Sequence, residues 1–306
     1  MSSPRHATTE PERITRVGVV GAGQMGAGIA EVCARAYVDV LVWESTRELT
    51  TAGRDRILDS LDRGVSSGKI TGRERDQAAL RLRFTTDLTD FADRQLVIEA
   101  IVEDEAAKTA VFRQLDEVVT DPAAVLASNT SSIPVMKLGT CTARPERVIG
   151  MHFFNPVPVL PLVEVVSTLE TGAETRARAE GFAEQVLGKQ VVHSVDRSGA
   201  VVNALLIPFL LSAIRMAESG FATPEDIDRA MVLGCAHPTG PLALADLVGL
   251  DTVTAIADSM YAEFKEPLYA PPPLLLRMVE AGRLGKKTGR GFYRYDAPRA
   301  VARAVR

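Results

Sequence analysis

Short apolar runs alternate with longer stretches of helical composition through the first two thirds of the chain. The apolar runs are rich in valine, isoleucine and leucine, which favour strands; they cover residues 17–20, 38–43, 96–100, 125–127, 148–153, 163–166 and 191–195. Stretches such as 27–36 and 105–118 separate them, and in the latter the apolar residues recur at helical spacing. This alternation predicts an α/β fold with a mainly parallel sheet and helices on both faces.

The pattern changes after about residue 195, where helix signals replace strand signals. Residues 223–226 (Thr-Pro-Glu-Asp) form a strong helix start, because a capping threonine precedes proline and two acids near the positive end of the dipole. Gly234 is expected to end that helix, and a proline run at 271–273 precedes another helix at 274–280. We therefore expect a disordered tail (1–13), a sheet domain (14–196) and an all-α C-terminal domain (197–306).

The composition is that of a globular protein with two domains. The chain has 306 residues, of which 46 % are hydrophobic and 24 % charged. Its formal net charge is −4, with 35 basic and 39 acidic residues. A nucleic-acid partner is not expected, because such proteins usually carry a basic face.

The cysteines and the apolar stretches indicate in which cellular compartment the protein is expected. The cysteines Cys33, Cys141 and Cys235 are widely spaced and odd in number, which supports neither a disulfide framework nor a metal site. Residues 1–13 lack the apolar segment of a secretory signal. The most apolar stretch, 200–214, contains Asn203 and Pro208 and is too short to span a bilayer comfortably. We expect a cytoplasmic protein with free thiols, no membrane partner and no bound metal.

A glycine motif, Gly21-Ala22-Gly23-Gln24-Met25-Gly26, lies between the first predicted strand and the first predicted helix. Gly21 permits the tight turn, Gly23 allows a pyrophosphate to approach the backbone, and Gly26 lets the helix pack against the strand. The helix N-terminus then offers free N–H groups to the phosphates. This context predicts a Rossmann-type dinucleotide site that includes Gln24 and Met25.

Glu44 ends the second predicted strand, about 20 residues after the glycine motif, where an acid binds a ribose 2′-hydroxyl. A carboxylate there would repel a 2′-phosphate, so NAD is favoured over NADP. Arg47 lies close enough in sequence to keep NADP as a minor alternative. A solvated surface acid is the other interpretation of Glu44.

Oxidation of an alcohol by hydride transfer needs a group that removes the hydroxyl proton, and histidine suits this role near neutral pH. The chain contains four histidines: His6, His152, His193 and His237. His6 lies in the tail, His237 lies in a predicted loop of the helical domain, and His193 ends an apolar strand, where a packed or exposed histidine is expected. His152 lies at the end of a strand in the sheet domain, the edge at which open α/β sheets bind ligands. From the residues alone, a general base and a buried structural histidine are equally good interpretations.

The chain resembles the L-3-hydroxyacyl-CoA dehydrogenase family, and within it the bacterial 3-hydroxybutyryl-CoA dehydrogenases. The resemblance runs from about residue 14 to residue 295. The motifs that carry it are GAGQMGAGIA from Gly21, IEAIVED from Ile98, ASNTSS from Ala127, GMHFFNPVPVLPLVEVV from Gly150, GPLALADLVGLD from Gly240 and GKKTGRGFYRY from Gly285.

The resemblance implies roles for individual residues. His152 matches the general base and Glu164 the acid that orients it. Ser131 matches a serine that contacts cofactor and substrate, and Asn203 an asparagine that reaches the substrate. Glu103, Lys108, Asn155 and Lys287 match cofactor contacts, and Ser60 and Lys69 lie near the CoA-contacting segment.

Other interpretations of these residues remain open. Glu164 could be a solvent-facing strand residue and Ser131 a helix cap, and Asn203 could serve only to pack a helix.

The chain departs from the family pattern at three places. Tyr37 stands where relatives usually have glycine, and Glu44 replaces the commoner aspartate. Residues 198–200 (Ser-Gly-Ala) stand where Pro-Gly-Phe is usual, which puts the preferred acyl length in doubt. The resemblance also implies a homodimer formed through the helical domain.

The predicted reaction interconverts a short-chain (S)-3-hydroxyacyl-CoA, such as 3-hydroxybutyryl-CoA, and its 3-oxo form with NAD. One alternative is a dehydrogenase of a free hydroxy acid on the same scaffold. The other is a catalytically silent homologue that keeps the fold.

Overall fold

The computed structural model describes residues 13–295. Contacts divide the chain after Ala200 into two compact units. Residues 1–12 of the predicted tail and residues 296–306 of the predicted helical domain lie outside the described part. Each unit is considered by itself.

One sheet of eight strands forms the centre of the first unit, in the order β3-β2-β1-β4-β5-β6-β7-β8. The strands are β1 (Arg16–Val20), β2 (Asp39–Trp43), β3 (Leu82–Thr85), β4 (Leu96–Glu99), β5 (Val125–Ser128), β6 (Val148–Phe153), β7 (Leu162–Ser167) and β8 (Gln190–Val195). β1 lies between β2 and β4. The strands β2 and β3 are therefore added on one side of β1 and the later strands on its other side, which makes β1 and β4 the topological switch point of the sheet. That switch point is where such sheets bind ligands.

The sheet is parallel from β3 to β6 and changes direction at β7. β7 runs antiparallel to β6, and β8 runs parallel to β7. The antiparallel pairing places the start of β7 beside the end of β6. The other parallel strands end at this same edge of the sheet.

Helices cover both faces of the sheet. They are α1 (Gln24–Arg35), α2 (Arg47–Ser66), α3 (Gly72–Ala79), α4 (Glu105–Val118), α5 (Val135–Gly139) and α6 (Ala173–Gly181), which continues into a π-helical turn (Phe182–Val186). Two apolar clusters form the core, one containing Ile29 and Ile57 and the other Phe91 and Phe112. This arrangement confirms the predicted mainly parallel sheet with helices on both faces.

All seven predicted strands agree with the structure to within one residue at each end, and β6 agrees at both ends. β3 was not predicted, because its sequence Leu-Arg-Phe-Thr is short and carries a charge, as edge strands often do. The helix that follows Thr223 begins as expected, since the Thr223 hydroxyl accepts a hydrogen bond from the Asp226 amide. It ends at Cys235 rather than at Gly234, and Ala236 adopts the left-handed backbone that closes it.

The described part of the second unit is helical and confirms the predicted all-α character. Its helices are α7 (Val202–Glu218), α8 (Pro224–Cys235), α9 (Pro241–Val248), α10 (Leu250–Phe264) and α11 (Pro273–Glu280). They pack around buried residues that include Leu210, Leu242 and Met260. No helix within residues 13–295 is both long and apolar enough to cross a membrane.

Two buried carboxylates join separate segments of the second unit. Asp228 accepts hydrogen bonds from the amides of Leu242 and Ala243 at the start of α9. Asp246 accepts from the amides of Phe292 and Tyr293 at 3.0 and 2.9 Å. The motifs that begin at Gly240 and Gly285 are therefore held together by one carboxylate.

Gly291 is predicted to tolerate no side chain. A Cβ at this position would lie 1.9 Å from Oδ1 of Asp246, a residue only 1 % exposed. Gly291→Ala should displace that carboxylate from its amide partners and lower the free energy of unfolding by about 2–4 kcal/mol. Urea denaturation measures the change.

Gly234→Ala is the matched control in the same unit. A Cβ there meets nothing within 4 Å, and the residue lies in α8. Its stability should stay unchanged or rise by up to about 1 kcal/mol. Equal stability of the two variants would contradict the role assigned to Asp246.

Candidate active site

The glycine turn between β1 and α1 has the geometry that a dinucleotide requires. Gly21 has a φ of +95°, and its amide donates to the carbonyl of Trp43 at 2.9 Å. A Cβ on Gly26 would lie 1.9 Å from the Gly21 carbonyl, whereas a Cβ on Gly23 would meet nothing within 4 Å. The turn therefore has no room for a side chain at Gly26, where α1 packs against the turn. It leaves open space beside Gly23, where a pyrophosphate would approach the backbone. These residues fit NAD.

Glu44 follows β2 and lies against this turn. The Glu44 carboxylate accepts a hydrogen bond from the amide of Ala22. The guanidinium of Arg56 donates to the carbonyl of Ala22. The acid therefore stands beside the glycines, as expected for a group that binds a ribose hydroxyl. Its negative charge at this point would oppose a 2′-phosphate.

His152 and Glu164 form a buried pair. They lie directly opposite each other in the antiparallel register of β6 and β7, so their side chains share one face of the sheet. The distance from His152 Nδ1 to Glu164 Oε2 is 2.7 Å, and Glu164 is completely buried. Of the two interpretations of Glu164, the structure excludes the solvent-facing strand residue.

Ser131 completes a chain of contacts with this pair. Its Oγ lies 2.9 Å from His152 Nε2. A carboxylate can only accept, so Nδ1 donates to Glu164 and Nε2 of the neutral ring accepts from Ser131. Nε2 is consequently the atom that can take up a proton, and the buried carboxylate stabilises the imidazolium that results.

The order Ser131–His152–Glu164 also matches the nucleophilic triad of hydrolases. The surrounding amides argue against that chemistry. The N–H groups of Ser131 and Ser132 both donate to Glu103 Oε1 at 3.0 Å, so a carboxylate lies where an oxyanion would have to bind. The arrangement suits proton transfer rather than attack on a carbonyl.

Glu103 holds the 130–132 segment in place. Besides the two amides, it accepts from the hydroxyls of Thr130 and Ser132. Burial raises the pKa of Glu103, but the charge of Lys108 and the hydroxyl donors more than offset this, so the pKa lies below its usual range. The ionised form therefore stabilises the fold above the ordinary glutamate pKa, and this contribution is lost as the pH falls through the lowered value.

Lys108 is buried, with 1 % of its surface exposed. Its ammonium lies 2.6 Å from Glu99 Oε1 and 3.2 Å from Glu103 Oε2. Glu99 is fully buried and also accepts from Ser128 Oγ at 2.6 Å. The cofactor contacts of Glu103 and Lys108 stay predictions; in the structure the two residues belong to a network that positions Ser131.

Four of the predicted ligand residues line one cavity of about 450 Å³, namely Gln24, Asn155, Ser60 and Lys69. This cavity brings the end of β6 and the start of α1 together with the C-terminal half of α2. Met25 lies beside it in sequence and packs against the core.

Asn203 and Lys287 belong to the second unit. Asn203 is buried in the first turn of α7, and Lys287 Nζ lies 2.7 Å from Asp251 Oδ2. Their predicted roles at substrate and cofactor remain predictions.

Sequence reasoning missed several polar residues around the pair, including Glu99, Ser128 and Asn129. Asn129 Oδ1 accepts from the Phe153 amide at 2.8 Å and so fixes the end of β6 next to His152. A charged or polar residue at the end of an apolar run was the available signal. Among residues 13–295, no group of three or more His, Cys, Asp or Glu side chains could hold a metal ion.

Two family models match the chain. The model of the 3-hydroxyacyl-CoA dehydrogenase NAD-binding domain matches residues 16–197, and that of the C-terminal domain of the same family matches residues 199–295.

Among curated relatives, a 3-hydroxybutyryl-CoA dehydrogenase of Mycobacterium tuberculosis is 68 % identical over 284 residues, which are 93 % of this chain and 99 % of the relative. The crystal structure of M. tuberculosis FadB2 superposes with a TM-score of 0.93 at 68 % identity, covering 93 % of this chain and all of that one. The crystal structure of (S)-3-hydroxybutyryl-CoA dehydrogenase PaaH1 from Ralstonia eutropha gives 0.87 at 43 % identity, with coverage of 93 % and 100 %.

Lys108→Met should strongly destabilise the protein. It leaves the buried carboxylate of Glu99 without its cation, a loss that typically costs about 3–5 kcal/mol. Urea unfolding of the variant gives the value. Lys137→Met is the matched control, because the Lys137–Glu105 pair is about half exposed and should contribute at most about 1 kcal/mol. Wild-type stability of Lys108→Met would contradict the network.

Proposed function

Because the chain belongs to the 3-hydroxyacyl-CoA dehydrogenase family, we propose that it interconverts (S)-3-hydroxybutyryl-CoA and acetoacetyl-CoA with NAD. The observation that supports the chemistry best is the buried Glu164–His152 pair, in which His152 Nε2 lies 2.9 Å from Ser131 Oγ. The butyryl length rests on the names of the relatives.

In the proposed mechanism, His152 Nε2 takes the proton of the 3-hydroxyl during oxidation and returns it during reduction. Glu164 keeps the proton of the resting imidazole on Nδ1 and stabilises the ring when both nitrogens are protonated. Ser131 Oγ holds the substrate oxygen at Nε2. NAD, when bound at the glycine turn, supplies the acceptor for the hydride that leaves C3.

The remaining predicted residues complete this proposal. Asn203 would hold a substrate oxygen, and Asn155 and Lys287 would contact the cofactor. Lys108 and Glu103 would serve mainly by fixing Ser131. Ser60 and Lys69 would contact CoA, a role that is supported by the cavity they share with the guanidinium groups of Arg56 and Arg63.

We also propose a cytoplasmic homodimer that forms through the helical domain. Exposed apolar side chains of the second unit support the dimer, among them Leu205 at 74 %, Phe221 at 79 % and Leu233 at 73 % exposure. Three free cysteines fit a reducing compartment. Light scattering measures the mass in solution, and a monomer would remove the dimer from the proposal.

The first experiment follows NADH absorbance with acetoacetyl-CoA and with free acetoacetate. We expect rapid turnover of the thioester and at least a hundredfold lower kcat/KM for the free acid, because the CoA moiety contributes binding energy. Preference for the free acid would favour the alternative dehydrogenase. The absence of turnover with either substrate would favour a silent homologue.

His152→Gln should lower kcat by at least about a hundredfold while leaving NADH binding close to normal, because it removes the general base but not the cofactor site. Steady-state kinetics and NADH fluorescence titration measure the two effects. Turnover retained in this variant would remove His152 from the role.

Glu164→Gln should also lower kcat, because the amide cannot stabilise the imidazolium. The chain offers a matched control in Glu180→Gln. Glu180 lies 3.5 Å from His193, but this pair is on the surface, with 38 % of the Glu180 and 50 % of the His193 side chain exposed. We expect the control to turn over like the wild type, and a comparable loss in both variants would contradict the special role of the buried pair.

A further inference from the structure

Tyr37 has an unusual backbone conformation for its size. It follows α1 with a φ of +64°, in the left-handed region where glycine is the ordinary residue. Its side chain is 67 % exposed, so burial of the ring does not offset the backbone strain. A strained bulky residue on the surface suggests a function for the side chain itself.

The guanidinium of Arg81 covers one face of the Tyr37 ring. Its central carbon lies 4.5 Å from the ring centroid, in cation–π geometry. Gln77 anchors the same guanidinium through its carbonyl and side-chain oxygens. Because the ring is mostly exposed, its other face is available to a planar ligand.

Tyr37 and Arg81 line a cavity of about 410 Å³ in the first unit. The charged residues of its lining are mostly cationic: besides Arg81 it contains Arg35, Lys69 and Lys189, whereas Glu74 is the lone acid among the lining residues. Glu74 is engaged in the capping box at the start of α3. The excess of positive charge in this lining favours an anionic ligand.

Lys189 belongs to the cationic part of this lining. Its ammonium donates to the carbonyls of Val157 and Leu160, both at 2.6 Å. Burial and the nearby charge of Arg35 lower the pKa of Lys189. A bound anion would relieve the repulsion between these two cations.

This cavity continues the one that contains Ser60 and Asn155. Arg35, Lys69 and Pro158 line both cavities. Along α1, the lining residues Gln24, Gly28, Glu31 and Arg35 follow helical spacing and so share one face. A long ligand that begins near the end of β6 can therefore extend along α1 to Tyr37.

We propose that this second cavity binds the 3′-phosphoadenosine end of the CoA thioester. The adenine stacks on the open face of Tyr37, and the 3′-phosphate bonds to Arg81. This inference rests on the proposed function, since it supplies the far end of the same substrate. It makes Arg81 the residue that distinguishes CoA from dephospho-CoA, whereas Tyr37 binds the adenine that both molecules carry.

A double-mutant cycle tests the assignment with acetoacetyl-CoA and its dephospho analogue, which lacks the 3′-phosphate. Arg81→Gln should raise KM for acetoacetyl-CoA about tenfold with kcat unchanged, the size expected for one charge-assisted hydrogen bond. Loss of the phosphate should raise the wild-type KM by a similar factor. Combining both changes should add little further, because they remove the same contact.

Arg83→Gln is the control, because Arg83 lies two residues away, is exposed, and pairs with Asp39 outside the cavity. Its KM values should match those of the wild type. If Arg81→Gln affects both substrates by the same factor, or affects neither, the phosphate contact is overturned.

Tyr37→Gly and Tyr37→Phe test the stacking. The glycine variant should be more stable, because the left-handed backbone is relaxed, and yet show a severalfold higher KM for acetoacetyl-CoA. The phenylalanine variant should retain the wild-type KM. A glycine variant with unchanged KM would overturn the role of the ring.

Direct binding of adenosine 3′,5′-bisphosphate separates this inference from the proposed function. Calorimetry should detect binding to the wild type and severalfold weaker binding to Arg81→Gln. If acetoacetyl-CoA is not turned over but the nucleotide binds in this way, the site stands and the proposed reaction fails. If the reaction proceeds and the nucleotide binds both proteins equally, the site fails alone.

Discussion

The hydrogen bond between the buried carboxylate of Glu164 and the imidazole of His152 is the interaction on which the site depends. It joins two strands that run in opposite directions, so it exists only because β7 reverses the direction of the sheet. The carboxylate lies out of contact with water and needs a donor, and the imidazole needs a fixed tautomer. Each group satisfies the requirement of the other. The result is a ring whose remaining nitrogen faces the strand ends at which such sheets bind ligands.

A second network of charges performs the same task for Ser131. Glu99 and Glu103 lie on either side of the ammonium of Lys108, and Glu103 in turn binds the amides and hydroxyls of the 130–132 segment. Because Glu103 accepts hydrogen bonds from both amides and from two hydroxyls of this segment, it fixes the position of the segment. The Ser131 hydroxyl, which contacts His152, is thus held in position by Glu103 and Lys108, neither of which contacts the imidazole.

Much of this could be predicted from the sequence, and the exceptions have physical causes. The glycine turn and the apolar strands are local patterns, so the α/β fold and the dinucleotide site followed from them. β3 is a short edge strand with an exposed arginine, which gives little apolar signal. The register between β6 and β7 pairs residues twelve positions apart in the chain. No local pattern specifies such a pairing, so Glu164 was assigned through the family resemblance.

The buried charges were the least predictable part. Lys108 and Glu99 look like ordinary charged residues in the sequence, because burial of a charge depends on partners from other elements. Tyr37 is a similar case: the family resemblance implies only that glycine is usual there, and the structure gives the reason in the positive φ of this residue.

The most direct test of the central claim is the tautomer of His152, measured by NMR of the ¹⁵N-histidine-labelled protein, with His152→Gln used to assign the signal. We expect that, in the neutral ring, Nδ1 carries the proton with a strongly downfield resonance and Nε2 carries none. A proton on Nε2, or rapid exchange between tautomers as in an exposed histidine, would contradict it.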